Sequence, residues 1–202
     1  MAVLAMVFGF VPGALAASFY YTSGIRVMNL TSTDTQVTLS FYDLNGGFNT
    51  SATQTISGDG FYSFFPLSAV SSGFNGSVVI SSQYAIASIS NLLGFYGSGN
   101  PTTDPQVASG AYTAASAGST SVFLPALMKN NNGISTWFYV QNAGSSNANV
   151  SIAYSDGTTA SGTIHPGASI KFDQAVETHP VKGFSGIVTS TNSQPLVAAV
   201  VE

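Results

Sequence analysis

The sequence contains an internal duplication, which restricts the chain to folds that can be built twice in succession. The segment VMNLTSTDTQVTLSFYD at 27–43 aligns without a gap on VQNAGSSNANVSIAYSD at 140–156. Three further blocks match in the same order: ISGDGFYSF with IHPGASIKF, GFNGSVVIS with GFSGIVTS, and QYAIASI with QPLVAAV. The expected organisation is an apolar N-terminal segment at 1–16, one repeat at 17–95, a linker at 96–110 and a second repeat at 111–202.

The pattern inside each copy is that of short β-strands. Val37, Leu39 and Phe41 alternate with polar or amphipathic residues, as they do in a strand with one buried face. Turn sequences such as Ser155-Asp156-Gly157 recur about every 8 to 12 residues, a spacing typical of β-sandwiches. We therefore expect an all-β protein made of two tandem immunoglobulin-like antiparallel β-sandwiches, preceded by an apolar N-terminal strand or short helix.

Composition narrows the class of protein. The chain is 45% hydrophobic but only 6% charged, with four Lys and Arg and no cysteine, whereas globular proteins carry about 25% charged residues. Four scattered cations cannot neutralise a phosphate backbone, which excludes nucleic acid as a partner. Few strong helix formers are present, and a neutral surface of this kind suits an extracellular protein better than a cytosolic one.

The N-terminal segment MAVLAMVFGFVPGALA is apolar on both faces of a strand, which suits a strand buried on both sides. It is too short to cross a bilayer as a helix, so no transmembrane span is expected. Two origins stay open: a part of the mature protein, or a signal-peptide remnant ending near Ala14-Leu15-Ala16. As a strand, the segment is suited to complete the sheet of a neighbouring subunit. The residues expected to make this contact are Leu4, Met6, Val7, Phe8, Phe10 and Val11.

No pattern of catalytic, metal-ligating or cofactor-binding residues is found in the sequence. Asp43, Asp59 and Asp156 fall at predicted turns, where turn formation explains them. His165 and His179 each precede a proline and lack a second ligand at metal-binding spacing. We expect no enzyme activity, no metal and no cofactor.

One cluster of aromatic residues offers a rival function. Trp137 and Tyr139 fall on one face of a predicted strand, and Phe138 and Val140 on the other. Core or interface packing is the favoured interpretation of these residues. The alternative is an exposed aromatic platform at Trp137 and Tyr139 that stacks on sugar rings.

Four Asn-x-Ser/Thr sequons are candidate glycosylation acceptors. They are Asn29, Asn49, Asn75 and Asn149. Because a chain rich in Asn, Ser and Thr produces sequons by chance, they indicate only that glycans are compatible with this surface.

The repeat pattern V-x-N-(loop)-V-x-(I/L)-x-(F/Y)-x-D, followed by G-F-x-G and Q-x-(A/L)-(I/V)-A, resembles the tandem immunoglobulin-like modules of bacterial cell-surface proteins. The apolar strand ahead of a sandwich, with low charge and no cysteine, is similar in architecture to strand-exchanging pilus and biofilm-fibre subunits. Type IV-like pilins also pair an apolar N-terminus with a β-domain, but here Pro12-Gly13 interrupts a short segment.

The expected function is that of an extracellular structural protein at the cell surface. The chain would be the subunit of a filament or pilus-like fibre, assembled head to tail from copies of itself by donation of the N-terminal β-strand. The alternatives are a tandem-sandwich adhesin or carbohydrate-binding module with glycan partners, and a passive surface-layer spacer.

Overall fold

A computed structural model describes residues 2–7 and 18–201, with side chains for 20–201. Over these residues the secondary structure consists of fifteen antiparallel β-strands without a helix, so the all-β prediction is confirmed. A search of the same residues for helices of membrane-spanning length and apolarity finds none.

The chain divides into two compact units, Met1–Asp43 with Gly47–Ser116, and Leu44–Gly46 with Ala117–Glu202. The strands of the first unit are β1 (Ala2–Val7), β2 (Ser18–Asn29), β3 (Thr35–Asp43), β4 (Phe48–Ile56), β5 (Phe61–Phe64), β6 (Gly76–Ser82), β7 (Ile86–Gly97) and β8 (Gln106–Thr113). They form two four-stranded sheets, ordered β1-β6-β3-β4 and β5-β2-β7-β8. The N-terminal segment, expected as a strand or a short helix, is a strand over residues 2–7.

The two sheets of the first unit share one hydrophobic core. Val37, Leu39 and Phe41 of β3 are fully buried, while the residues between them are half-buried and face away. Ile25 of β2 and Ile80 of β6 belong to the same cluster. The alternating pattern of the sequence therefore places one face of each sheet in the core.

The strands of the second unit are β9 (Ser121–Met128), β10 (Trp137–Asn142), β11 (Ala148–Tyr154), β12 (Thr159–Ile164), β13 (Ser169–Asp173), β14 (Gly183–Ser190) and β15 (Leu196–Val201). They form sheets ordered β12-β11-β14-β9 and β13-β10-β15. Both sheets contribute to one core that includes Phe138, Val140, Ile152 and Val188.

The two units have the same strand order when β2 to β7 are matched with β10 to β15. The sheet β4-β3-β6-β1 then corresponds to β12-β11-β14-β9, so β1 is the counterpart of β9. Strand pairing makes Ile86 the counterpart of Leu196, because they oppose Asn29 and Asn142 respectively. The sequence alignment of QYAIASI with QPLVAAV instead matched Ile86 with Val197, one residue away.

The segment 96–110, expected to be a linker, falls within the first unit. It contains the end of β7 and the first part of β8, which pairs with β7 along Ile89–Phe95. β8 is held through its backbone, and its side chains are mostly exposed. Its sequence of small residues therefore shows no apolar periodicity. Sequence patterning alone therefore did not identify it.

Candidate functional site

The N-terminal strand β1 lies at the edge of its own chain's sheet, antiparallel to β6. Leu4, Met6 and Val7 are the register partners of Val79, Ser77 and Gly76. Phe8, Phe10 and Val11, the other expected assembly residues, lie outside the described residues.

The strand that receives β1 is part of the core. Val78 and Ile80 of β6 are fully buried and are the register partners of Ala5 and Val3. Without β1, the backbone of β6 would form a sheet edge beside these core residues. Such an edge is a template for pairing with another strand.

The counterpart β9 is fixed to its own unit by the segment that joins it to β10. Thr136 donates its N–H to the Met128 carbonyl at 2.9 Å, and its Oγ1 accepts the Met128 N–H at 3.0 Å. Asn131 and Ile134 exchange two backbone hydrogen bonds in the turn between them. The corresponding connection from β1 to β2 is residues 8–17, which carry no charged side chain.

Four of the other edge strands lack the charged and proline side chains that usually prevent strand addition, although the pairings of β4 and β8 each contain a β-bulge or irregularity. The edge strands β4, β8, β12 and β15 have the sequences FNTSATQTI, QVASGAYT, TASGTI and LVAAVV, with neither charge nor proline. Natural proteins commonly place Lys, Pro or a bulge on exposed edges to block pairing between molecules. These strands are therefore open to pairing with further strands as far as side-chain chemistry is concerned.

The four sequons differ in accessibility. Asn29 is fully buried, and its Nδ2, the atom that a glycan would modify, donates to the carbonyls of Thr33, Ile56 and Ser57. The folded chain therefore does not present this acceptor. The side chains of Asn49, Asn75 and Asn149 are exposed, and glycosylation there stays a prediction.

The two residues of the expected aromatic platform, Trp137 and Tyr139, differ in their exposure to solvent. Tyr139 is only 3% exposed, and Phe138 and Val140 are fully buried. Trp137 is half-buried, and the Lys171 Nζ lies 5.1 Å from its ring centroid. Of the two platform residues, therefore, only Trp137 has substantial exposed surface.

A buried polar cluster in the second unit was missed by the sequence analysis. His179 Nδ1 lies within hydrogen-bonding distance of Asp156 Oδ2, at 2.8 Å, and the two side chains are 1% and 0% exposed. The Thr158 hydroxyl donates to Asp156 at 2.6 Å and lies 3.1 Å from His179 Nδ1. Burial alone would raise the pKa of Asp156, but the hydrogen bonds from Thr158 and His179 hold it below its usual range.

Further contacts connect this cluster to its surroundings. The Tyr154 hydroxyl donates to Glu177 at 2.9 Å, and burial together with that carboxylate raises the pKa of Tyr154. Phe184 stacks on the His179 ring at 4.0 Å, and Lys129 donates from Nζ to the Glu177 carbonyl. His179 and Asp156 are buried and not accessible to a substrate. Their contact fixes the loop between β13 and β14 to the turn between β11 and β12. No group of three or more potential metal ligands occurs among the described residues.

The first unit has a different anchored loop, which follows β7. Asp104 accepts the Tyr20 hydroxyl at 3.1 Å and the N–H groups of Gly99 and Asn100 at 2.9 Å each. Burial and the neighbouring Asp104 carboxylate raise the pKa of Tyr20 to about 12. The loop leads directly into β8, so this cluster helps to position that strand.

A cleft of about 330 Å³ lies beside this loop in the first unit. Its lining includes Tyr20, Tyr21, Phe65 and Phe74 together with Pro66. Aromatic and aliphatic lining of this kind is typical of sites for apolar groups.

No protein-family model matches the chain, and no curated protein matches it. Among solved structures, an Anabaena sensory rhodopsin transducer aligns with 42% of the chain and 89% of its own length, at 18% identity and a TM-score of 0.32. An oxalate decarboxylase from Lactobacillus farciminis aligns with 98% of the chain and 72% of its own length, at 7% identity and a TM-score of 0.27. A secreted protein from Parabacteroides distasonis aligns over 100% and 88%, at 11% identity and a TM-score of 0.22. Likeness at this level carries no argument about function.

Proposed function

We propose that this chain is an extracellular structural protein, the subunit of a cell-surface filament built head to tail from copies of itself. Each copy donates β1 to the next and receives the β1 of the copy before it. The same proposal includes a relationship of the two repeats to tandem immunoglobulin-like modules, which the repeat pattern suggests.

The observation that carries the proposal is the pairing of β1 with β6. That register supplies an acceptor edge and a six-residue apolar donor within one sequence. In a fibre the same pairing would be made between copies, so the backbone hydrogen bonds gained equal those given up. Exchange of an identical element is a low-cost route to association for this reason.

The length of the connection allows such an exchange. Residues 8–17 provide ten residues between β1 and β2, and ten extended residues span at most about 35 Å. A donor linked in this way makes a heterologous contact, in which donor and acceptor surfaces differ. Contacts of that type generate open filaments when the rotation between copies does not close a ring.

The low charge of the chain supports association between copies. With 6% charged residues, the surface offers few side chains that would lose hydration or repel their like on contact. The uncharged edge strands extend this property to the sheet edges, where copies approach each other.

Deletion of residues 1–16 tests the proposal, read by electron microscopy and sedimentation. We expect the truncated chain to form no fibres, because it has lost its donor strand and exposes β6. A synthetic peptide of residues 1–16, added in excess, should bind the truncated chain and give a folded, capped monomer. The matched control is a full-length chain with Phe123→Ser on the counterpart strand β9, which should still polymerise. Fibres of normal length from the truncated chain would contradict strand donation.

A further inference from the structure

The outer face of the sheet β5-β2-β7-β8 presents one of the few cations of the chain. Ile25 and Val27 of β2 point into the core, so Gly24 and Arg26 point to the opposite face of the sheet. Arg26 is exposed, and no carboxylate of the described residues forms an ion pair with its guanidinium. The chain has only four Lys and Arg in total, so the position of this one needs a reason.

Two residues of β5 hold the guanidinium in place. Arg26 donates from Nε to the Ser63 Oγ at 2.9 Å, and its Cζ lies 4.8 Å from the ring centroid of Phe61. Ser63 is also the register partner of Arg26. These contacts leave the two Nη groups without a partner among the residues that the structure describes. The Nη pair can therefore bind a carboxylate through two parallel hydrogen bonds.

A hollow of about 320 Å³ lies beside the guanidinium, within the first unit. Gly24 is part of its lining, and a Cβ at this position would come within 2.9 Å of the Phe65 ring. Phe65 is 53% exposed and Leu93 is half-buried, so both offer apolar surface to the hollow. The exposed side chain of Asn91, the register partner of Gly24, adds an amide group.

The second unit shows which group completes a similar arrangement. Lys171 of β13 is the counterpart of Ser63, and its Nζ lies 5.1 Å from the ring centroid of Trp137. Two positions further on, Asp173 is the counterpart of Phe65 and lies 2.7 Å from the Lys171 Nζ. A cation over an aromatic ring is thus paired with a carboxylate in the second unit. The first unit has the cation and the ring, but Phe65 replaces the carboxylate.

We propose that this hollow binds a hexuronate residue of an acidic polysaccharide. The sugar carboxylate accepts hydrogen bonds from the two Nη groups of Arg26 and supplies the anion that the first unit lacks. The apolar face of the sugar ring lies against Phe65 and Leu93. Its hydroxyl groups bond the Asn91 amide.

The lining of the hollow favours a sugar acid over other carboxylates. A fatty acid or an aromatic acid would use the guanidinium and the apolar walls, but would place hydrocarbon against the Asn91 amide. A hexuronate carries a carboxylate, an apolar C–H face and hydroxyl groups on one ring. Sites for small ligands commonly combine apolar surface with a few polar groups that fix the orientation of the ligand.

The charge of the whole chain makes Arg26 decisive for this ligand. With a net charge of −4, the chain as a whole repels an acidic polymer. Among the other cations, Lys171 is paired with Asp173. Lys182 is exposed and lies outside the lining of the hollow, which makes it a matched control for Arg26. The site does not depend on strand donation, because all of its residues belong to one unit.

Retention of the full-length chain on beads that carry polygalacturonate tests the proposal, at physiological ionic strength and without divalent cations. The methyl-esterified polymer keeps the rings and hydroxyl groups but removes the charge, and polyglutamate keeps the carboxylates without the sugar. We expect saturable binding to polygalacturonate, and binding to each of the other two polymers that is weaker by about tenfold or more. No retention on polygalacturonate, or equal retention on either comparison polymer, would overturn the proposal.

Substitutions assign the binding to the hollow. Arg26→Gln should weaken binding to polygalacturonate by about tenfold or more, because two hydrogen bonds to a charged group are lost. Lys182→Gln makes the same change in net charge and should bind as the wild type does. Asn91→Ala should weaken binding several-fold. Thermal unfolding checks that each variant keeps its fold. Equal binding by Arg26→Gln and Lys182→Gln would contradict the proposed carboxylate contact, and unchanged binding by Asn91→Ala would contradict the proposed position of the sugar.

Discussion

Asn29 and Asn142 occupy the same place in the two units, and each fastens the loop that follows its strand. Asn29 donates from Nδ2 to the Ile56 carbonyl at 3.3 Å, and Asn142 donates to the Ile164 carbonyl at 2.9 Å. Both side chains are fully buried. Each Oδ1 also accepts the N–H of the residue two positions on, Thr31 or Gly144.

Replacing either asparagine should destabilise its unit. Asn142→Ala leaves the carbonyls of Ser146 and Ile164 without their donor, and the expected loss is about 2–3 kcal/mol in the free energy of unfolding. Asn29→Ala should act similarly. Chemical denaturation measures the effect, with the exposed Asn49→Ala as the matched control, for which a change within about 0.5 kcal/mol is expected. A control as destabilised as Asn142→Ala would show that the buried hydrogen bonds are not the cause.

The stability of the second unit should depend on Asp156 at acid pH. The pKa of Asp156 is lower in the folded chain than its unfolded value, which is about 3.9. Its contribution is therefore complete above that value and is lost as the pH falls through the folded pKa. Asp156→Asn should lower the free energy of unfolding by about 2 kcal/mol at pH 7, and the difference from wild type should shrink below about pH 4.

Thermal unfolding at pH 7, 5 and 3 tests this dependence. Asp59→Asn, at an exposed turn position, is the control and should be nearly neutral throughout. A difference between Asp156→Asn and wild type that stayed constant from pH 7 to pH 3 would exclude the carboxylate charge as its source.

Tyr20 should make the first unit sensitive to alkaline pH. Its pKa is raised to about 12, above the unfolded value of about 10. The stabilisation is therefore complete below about pH 10 and is lost as the pH rises through the folded value of about 12. Tyr154 also has a raised pKa, so titration of tyrosinate absorbance should show one late-ionising group fewer in Tyr20→Phe than in wild type, and an unchanged number in Tyr96→Phe. An unchanged number of late-ionising groups in Tyr20→Phe would contradict the raised pKa of Tyr20.

The sequence predicted the elements whose side chains alternate clearly. Val37, Leu39 and Phe41 were expected on one face and form the centre of the first core. The alignment of the two copies also matched Asn29 with Asn142, but it did not indicate that both side chains are buried and hydrogen-bonded. An asparagine inside an Asn-x-Thr sequon is usually interpreted as a surface glycosylation acceptor. Asn29 is buried instead because it bonds the carbonyl of Ile56, the last residue of β4, which lies far along the chain.

Contacts between distant segments account for what the sequence did not predict. Asp156 and His179 are 23 residues apart, and nothing in the spacing indicates that Oδ2 and Nδ1 meet at 2.8 Å. The strand β8 was missed because it is held by its backbone. The equivalence of β1 and β9 appears only in the sheet order, since their side chains share little beyond apolar character.

Disulfide mapping of assembled fibres tests strand donation most directly. In Leu4→Cys/Val79→Cys the two thiols are register partners across β1 and β6. The matched control is Phe123→Cys/Ile187→Cys, the equivalent pair across β9 and β14. Each fibre preparation is oxidised and then separated on a denaturing gel without reductant.

If β1 is donated between copies, the first variant should give a ladder of covalently linked multimers that collapses to monomer on reduction. The control should run as a monomer, because β9 pairs within its own chain. A monomer from the oxidised fibres of Leu4→Cys/Val79→Cys, with its disulfide formed, would show that β1 stays in its own subunit and would contradict the proposed assembly.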